Sequence, residues 1–405
     1  MRVLVIFPHG NMFAPKRGNE VRVYNLVKQL SKYSEVLTLE LYECAKFIHP
    51  YINIKSLKRY FFNDYKIGRS FCDLIPTYLM KLYEIIKSEK PDIIQVEYPY
   101  GLLSAKIIAK IVSKIKKEDT KIKVIYDAHD VESERLAELL FKKSYNYFDY
   151  DKLDSVILST YRFIRYLYSS LIENSSCKLI DHILTVSEND KRILCNKYHI
   201  EPSKVTVIPT GTVIPNLSKL SKSKWKEKFG EDKVVIIFHG TFHYLPNKEA
   251  IYLIKNFIAP KINERYNNVL FVIAGYGVPK FSKGNVIGVG FVDNLYELIY
   301  ASDIAICPIL RGGGTRTKIL DYLSVGIPIV TTRKGIEGID AKNGREAVIV
   351  DNVDEKFIDA IAYLIENENE RKKLSKNARK LAEKKYDWDK IGKRLNILYQ
   401  KLINE

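Results

Sequence analysis

The stretch DIAICPILRGGGTRTKILDYLSVGIPIV, residues 303–330, sets the architecture. It reads as an apolar strand (DIAICPI), a loop with three consecutive glycines, a helix, and a second apolar strand beginning IPIV. Ile319, Leu320 and Leu323 form the apolar face of that helix, which starts near Thr315–Thr317. Strand, helix and strand in this order make a parallel unit. Gly312, Gly313 and Gly314 clear side chains from the loop just before the helix, so backbone N–H groups are free at a helix N-terminus. Geometry and helix dipole together make that an anion site. Thr315 shares the turn, and Arg316 and Lys318 add formal positive charge. A flexible loop with solvated basic residues is the competing reading, and the loop's position after a parallel strand weighs against it.

The same grammar runs through the chain in both directions. Upstream lie VVIIFHG (234–240), VLFVIAGYG (269–277) and NVIGVGFV (285–292), each leading into a turn or a helical stretch. The first half has RVLVIF (2–7), DIIQVEY (92–98), KVIYDAHD (123–130), HILTVS (182–187) and KVTVIPTG (204–211), again separated by helical patterns. One of these is NEVRVYNLVKQLSKY, where Val23, Leu26, Val27 and Leu30 recur at helical spacing. The expected fold is α/β: two doubly wound, Rossmann-like domains facing a central cleft. The polar stretch 216–233 marks the junction, giving an N-terminal domain over 1–213 and a C-terminal domain from 214. In such sheets ligands sit outside the carboxyl ends of the strands, so the loops after the strands are where chemistry is sought.

Composition narrows the class. The chain has 405 residues, 46% hydrophobic and 28% charged, with a net charge of +17. The basic excess is spread over both halves rather than gathered in a tail, which argues against a nucleic-acid arm and suits phosphorylated ligands or an anionic membrane surface. Five scattered cysteines without a C-x-x-C spacing indicate neither a zinc site nor a disulfide framework, so a reducing, cytoplasmic setting is expected. Cys307, at the end of IAIC, reads as a core thiol. The N-terminus enters a strand directly, without a secretory leader pattern. The most membrane-like stretch, 155–172, is interrupted by Arg162 and Arg165 and reads as a helix that does not span.

Several strand-end loops carry candidate site residues. AGYG (274–277) and GVGFV (288–292) bring small residues to one edge, where a flat ring has exposed backbone to rest on. HGTFHYLPN (239–247) contains Gly240, with Lys248 next along, and its two histidines lack a third ligand at a metal spacing. YDAHDVESERL (126–136) puts His129 and Asp130 directly after a strand, where they suit bonding to a sugar hydroxyl or proton management, or a helix cap. Glu132 and Glu134 read as first-turn helix acids. KSLKRYFFNDYKIGRSF (55–71) interleaves basic and aromatic residues. That mixture fits a peripheral membrane contact, and equally a solvated face over an aromatic cluster.

Taken together, PHGNMFAPKRGNEVRVYNL, YDAHDVES, LTVSENDK, VTVIPTG, HGTFHYLPN, FVIAGYG and GGGTRTKILDYLSVGIPIVTT resemble the retaining GT-B glycosyltransferases of family 4 in order and spacing. The resemblance implies transfer of a sugar from a nucleotide diphosphate sugar to a glycan, lipid-linked or other acceptor, with no metal and no cofactor. It implies a donor domain over 214–386 and a final helix, 387–405, returning to the first domain. His129 matches the active-site histidine and Gly18 the N-terminal glycine loop near the donor phosphates. Gly275, Gly277, Phe291 and Val292 would lie near the base, Gly312–Thr315 would meet the diphosphate, and Asp321 stands where the family has a ribose-binding glutamate. The chain departs from the family pattern in three places: Gly313 replaces a glutamate, Asn19 replaces a second glycine, and the usual Arg and Lys pair is missing from 239–250. Lys248, or Arg316 with Lys318, would substitute for that pair. The rival readings are a GT-B nucleotide-sugar epimerase, and a nucleotide-sugar-binding scaffold that has lost catalysis.

Overall fold

The computed structural model describes residues 1–8, 11–13, 15, 18–41, 57–62, 69–116, 122–141 and 156–405. It divides into two compact units, Met1–Thr210 with Trp388–Glu405, and Gly211–Asp387.

The first unit is built on seven strands: β1 (Arg2–Phe7), β2 (Glu35–Leu41), β3 (Leu57–Phe62), β4 (Ile93–Glu97), β5 (Lys123–Ala128), β6 (His182–Thr185) and β7 (Val205–Val207). They lie in the order β3-β2-β1-β4-β5-β6-β7, and every pairing is parallel. Runs such as VLVIF and IIQVE are buried along their whole length, as strands covered on both faces must be. The helix Gly18–Leu30 covers one face through Val23, Leu26, Val27 and Leu30. The last helix, Trp388–Asn404, joins that layer by burying Trp388, Ile391, Leu395, Tyr399 and Leu402. Its Gly392 has a steric reason: a Cβ there would stand 2.5 Å from the Gln29 side chain. The opposite face is covered by helices Pro76–Glu89, Leu102–Lys116 and Val156–Leu179.

The second unit repeats the plan with β8 (Val234–His239), β9 (Val269–Ala274), β10 (Phe281–Lys283), β11 (Val286–Gly290), β12 (Ile304–Cys307), β13 (Ile329–Thr332) and β14 (Val348–Val350). Their order is β10-β11-β9-β8-β12-β13-β14, parallel except for the β10–β11 hairpin. Strand order reverses on either side of β8, so the crevice rule points to the carboxyl ends of β8 and β12. Cys307 is fully buried in this core, as expected of a packing thiol. Among the described residues no helix is long and apolar enough to cross a membrane.

Candidate active site

In the second unit β8, β9, β11 and β12 run parallel, so the loops after them emerge at one sheet edge. That edge collects Gly240, Gly275, Gly277, Phe291, Val292 and the glycine loop. The backbones touch: a Cβ on Gly275 would lie 2.2 Å from the Gly240 carbonyl oxygen. Gly312 and Gly314 have φ of 103° and 72°, which explains their lack of side chains, and a Cβ on Gly312 would meet the Tyr244 hydroxyl at 2.6 Å.

Arg316 has a different task from the one its charge suggests. Its buried guanidinium donates to the carbonyls of Gly312, Gly313 and Gly314, tying those oxygens to one side of the loop. The N–H groups of residues 312–316 find no acceptor among the described residues. The loop therefore has its acceptors satisfied from within and its donors open.

Lys318, one residue into the helix Thr317–Val325, is also buried. Its Nζ donates to Asn247 Oδ1 at 2.6 Å and sits 4.0 Å from the Phe238 ring centroid. Asn247 is held in turn by donating to the Thr241 carbonyl at 2.8 Å. Among the described residues no carboxylate lies within ion-pair distance of Lys318, and burial lowers its ammonium to about 8. Lys248 is half-buried, with Nζ 5.6 Å from the Phe242 ring centroid.

Asp321, on the same helix, accepts from Thr212 Oγ1 at 3.0 Å and from the Tyr296 hydroxyl at 3.3 Å. His239 Nε2 lies 3.6 Å from its second oxygen and makes no hydrogen bond. Burial raises the Asp321 carboxyl to about 7 and lowers the His239 imidazole to about 3. Phe291 is exposed, and Val292 is half-buried against the core.

The first unit builds its site from side chains. β4 and β5 run side by side with Glu97 opposite Asp127, and His129 follows β5. His129 Nε2 is 2.6 Å from Glu97 Oε2, so the carboxylate partner of this histidine is Glu97, on the neighbouring strand, and not the adjacent Asp130. Gln95 Nε2 donates to Glu97 Oε1 at 2.5 Å and lies 3.4 Å from Asp127 Oδ2. Arg22 donates to Asp127 at 2.8 and 3.3 Å and to the Ile208 carbonyl at 2.9 Å. Tyr399, from the last helix, donates to Gln95 Oε1. The Tyr98 ring stacks on His129 with centroids 4.7 Å apart, and Tyr98 holds a left-handed φ of 73° to do so.

Burial fixes the protonation of this network. It keeps the His129 imidazole neutral, lowered to about 4, and lifts the Glu97 carboxyl to about 7. Below about 7 Glu97 is an acid donating to Nε2, and the imidazole proton sits on Nδ1. Above it, the carboxylate accepts from Nε2–H and Nδ1 becomes an acceptor. Glu97, Asp127 and His129 bring ligand-type atoms within 4.8 Å of one another. The Arg22 guanidinium brings positive charge to this cluster through Asp127. Asp130 faces Arg135 at 3.4 Å, and burial raises its carboxyl to about 7. Glu132 and Glu134 pair with Arg135 and Lys197. Glu173 accepts from the N–H groups of Glu132 and Ser133 and so caps the helix Glu132–Phe141.

Gly18 opens the helix Gly18–Leu30, while Gly10 and half of the loop before it lie outside the described residues. Within 55–71, Lys55, Tyr65 and Lys66 also lie outside them. The described parts are β3, where Lys58 pairs with Glu35 and Glu89, Arg59 with the buried Glu40, and Phe62 is buried, and the start of the helical turn Arg69–Leu74, where Phe71 packs on Tyr168 with ring centroids 4.8 Å apart.

Two family models match the chain: Glycosyltransferase Family 4 over residues 15–214, and Glycosyl transferases group 1 over 233–367. An uncharacterised glycosyltransferase of Methanocaldococcus jannaschii is 26% identical over 257 residues, covering 60% of this chain and 64% of that protein. The curated relatives are thus matched over about 54–64% of their length. Among solved structures, sucrose-phosphate synthase from Thermosynechococcus elongatus has a TM-score of 0.72 at 13% identity, covering 100% of this chain and 99% of that one. Anabaena HepE in complex with UDP-glucose has a TM-score of 0.69 at 13% identity, covering 99% and 100%. The chain belongs to the GT-B glycosyltransferases of family 4.

Proposed function

We propose that this protein transfers a sugar from a nucleotide diphosphate sugar to a glycan or lipid-linked acceptor, with retention at the anomeric carbon. The observation that carries the reading is Lys318: a buried ammonium without a carboxylate partner among the described residues, beside a loop whose N–H donors are open. A buried charge requires compensation, and a bound diphosphate supplies it. HepE has been captured with UDP-glucose, which makes a uridine nucleotide the first donor to try.

In the proposed reaction the bond from the anomeric carbon to the phosphate oxygen breaks, and a bond to the acceptor oxygen forms on the same face. The acceptor's proton passes to the departing phosphate, which leaves as nucleoside diphosphate. Lys318 and the N–H groups of residues 312–315 stabilise the charge that grows on it. Arg316 acts through the loop it shapes. Asp321 accepts from a ribose hydroxyl, helped by Thr212 and Tyr296, and the base rests near Gly275, Gly277, Phe291 and Val292. His129 contacts the sugar through Nδ1, with Glu97 setting which partner it offers. A nucleotide-sugar epimerase would need free carboxylates near the anomeric carbon, whereas Glu97 and Asp127 are engaged by His129, Gln95 and Arg22.

The test is a panel of radiolabelled nucleotide sugars incubated with purified protein, with and without candidate acceptors. Acceptor-dependent release of nucleotide supports transfer. Binding without turnover supports the scaffold reading and overturns ours.

A further inference from the structure

Two helices on one face of the first sheet leave an unusual surface. Leu102–Lys116 and Val156–Leu179 pack against each other over the same core. The first turns Ala105, Ala109 and Val112 inward and exposes Ile107, Ile111 and Ile115, the last at 64%. The second exposes Tyr161, Phe163, Ile164, Leu167 and Leu171, the last at 66%. Ile164, Leu167 and Leu171 follow helical spacing, so they form a stripe rather than scattered points. Isolated exposed apolar residues are ordinary, but a stripe of this kind marks a contact surface.

The charges interspersed with it have one sign. Lys110, Lys114 and Lys178 are exposed on these helices. The only acid in either helix is Glu173, which is buried and accepts four hydrogen bonds. Ordinary solvated helices mix both signs. A second copy of the chain would set lysine against lysine across the contact, which is unfavourable. An anionic bilayer satisfies both features: aliphatic and aromatic side chains enter the acyl boundary, and lysine stems lie along it with their heads at the phosphates.

We infer that this helix pair is the surface by which the protein docks on an anionic lipid bilayer. It differs from the basic and aromatic stretch at 55–71, whose described members are committed to β3 and to the short helical turn Arg69–Leu74. The inference does not rest on the transfer chemistry, because the contact is a property of the surface alone.

The test is flotation of the full chain with vesicles of phosphatidylglycerol and phosphatidylcholine, against vesicles of phosphatidylcholine alone, at low and high salt. The expected result is co-flotation with the anionic vesicles only, weakened by salt. Lys110→Gln and Lys114→Gln should each lower partitioning about fivefold, the worth of one basic residue near an anionic surface. Ile111→Asn with Leu171→Asn should lower it about tenfold or more. Circular dichroism and nucleotide binding of each variant report that the fold and the other unit are intact. Absence of flotation at low salt, equal flotation with both vesicle types, or a dimer in light scattering that these substitutions dissolve would each overturn the inference.

Discussion

The two candidate sites, one in each unit, are made in opposite ways. In the second unit the edge is made of backbone: glycines at Gly240, Gly275, Gly312 and Gly314 bring main chain close, Arg316 ties back the loop carbonyls, and Lys318 adds one charge. In the first unit the site is made of side chains, a buried chain from Tyr399 through Gln95 and Glu97 to His129, with Arg22 and Asp127 beside it. A backbone site suits a ligand that is the same in every turnover, such as a diphosphate. A side-chain network suits proton control, because burial sets its pKa values. The two should therefore fail differently when altered.

Arg22→Met should show the largest effect on stability. It leaves Asp127 buried without its partner, at a cost of about 3–5 kcal/mol, and a lowered melting temperature is the readout. Lys318→Met should lower kcat/KM by roughly 10²–10³ while leaving the melting temperature near that of the wild type. Gly312→Ala forces a side chain into a left-handed conformation and against Tyr244, costing about 1–3 kcal/mol in the loop, and should appear as a raised KM for the donor.

Glu97→Gln should lower kcat by about tenfold, the worth of one buried hydrogen bond of about 1.4 kcal/mol, with KM for the donor unchanged. Its pH profile separates positioning from packing. The wild type should change through about pH 7 as the Glu97 proton leaves and the imidazole proton shifts, and the variant should be flat there. The stability linkage has a definite sign. A carboxyl raised from 4.5 to about 7 contributes stability that is full below 4.5 and lost as pH rises through 7. The wild type should therefore lose melting temperature relative to Glu97→Gln across that window. His129, lowered from 6.5 to about 4, acts oppositely, favouring the fold as pH rises from 4 to 6.5, and this term is common to both proteins. Tyr399→Phe should be smallest, about 1 kcal/mol of stability.

The comparison also separates what was legible in the sequence from what was not. The placement of the glycine loop could be read because an apolar run precedes it and a helical pattern follows, and the structure puts it between β12 and the helix Thr317–Val325. The interior strands were legible for a related reason: buried parallel strands are continuous apolar runs. The outer strands β2, β3, β10 and β14 were not. β2 carries Glu35 and Glu40, whose charges are answered by Arg2 and Arg59 from elsewhere in the unit, a compensation that no local pattern reveals.

The glycine loop's internal wiring was hidden too. Arg316 reads as a phosphate ligand until its three carbonyl partners are seen, and nothing in the sequence singles out Asn247, which holds Lys318. His129 was legible from its position after β5, whereas its partner Glu97 lies 32 residues away on a neighbouring strand. The nearer carboxylate, Asp130, drew attention by adjacency alone. Parallel register brings such residues together, and register is a tertiary fact.

Calorimetric titration with nucleoside diphosphates and with the matching nucleosides tests the central claim most directly. Binding that needs the diphosphate, and that weakens sharply in Lys318→Met, is the predicted result. A nucleoside that binds as tightly as its diphosphate, or a Lys318→Met protein that binds the diphosphate as the wild type does, would contradict it.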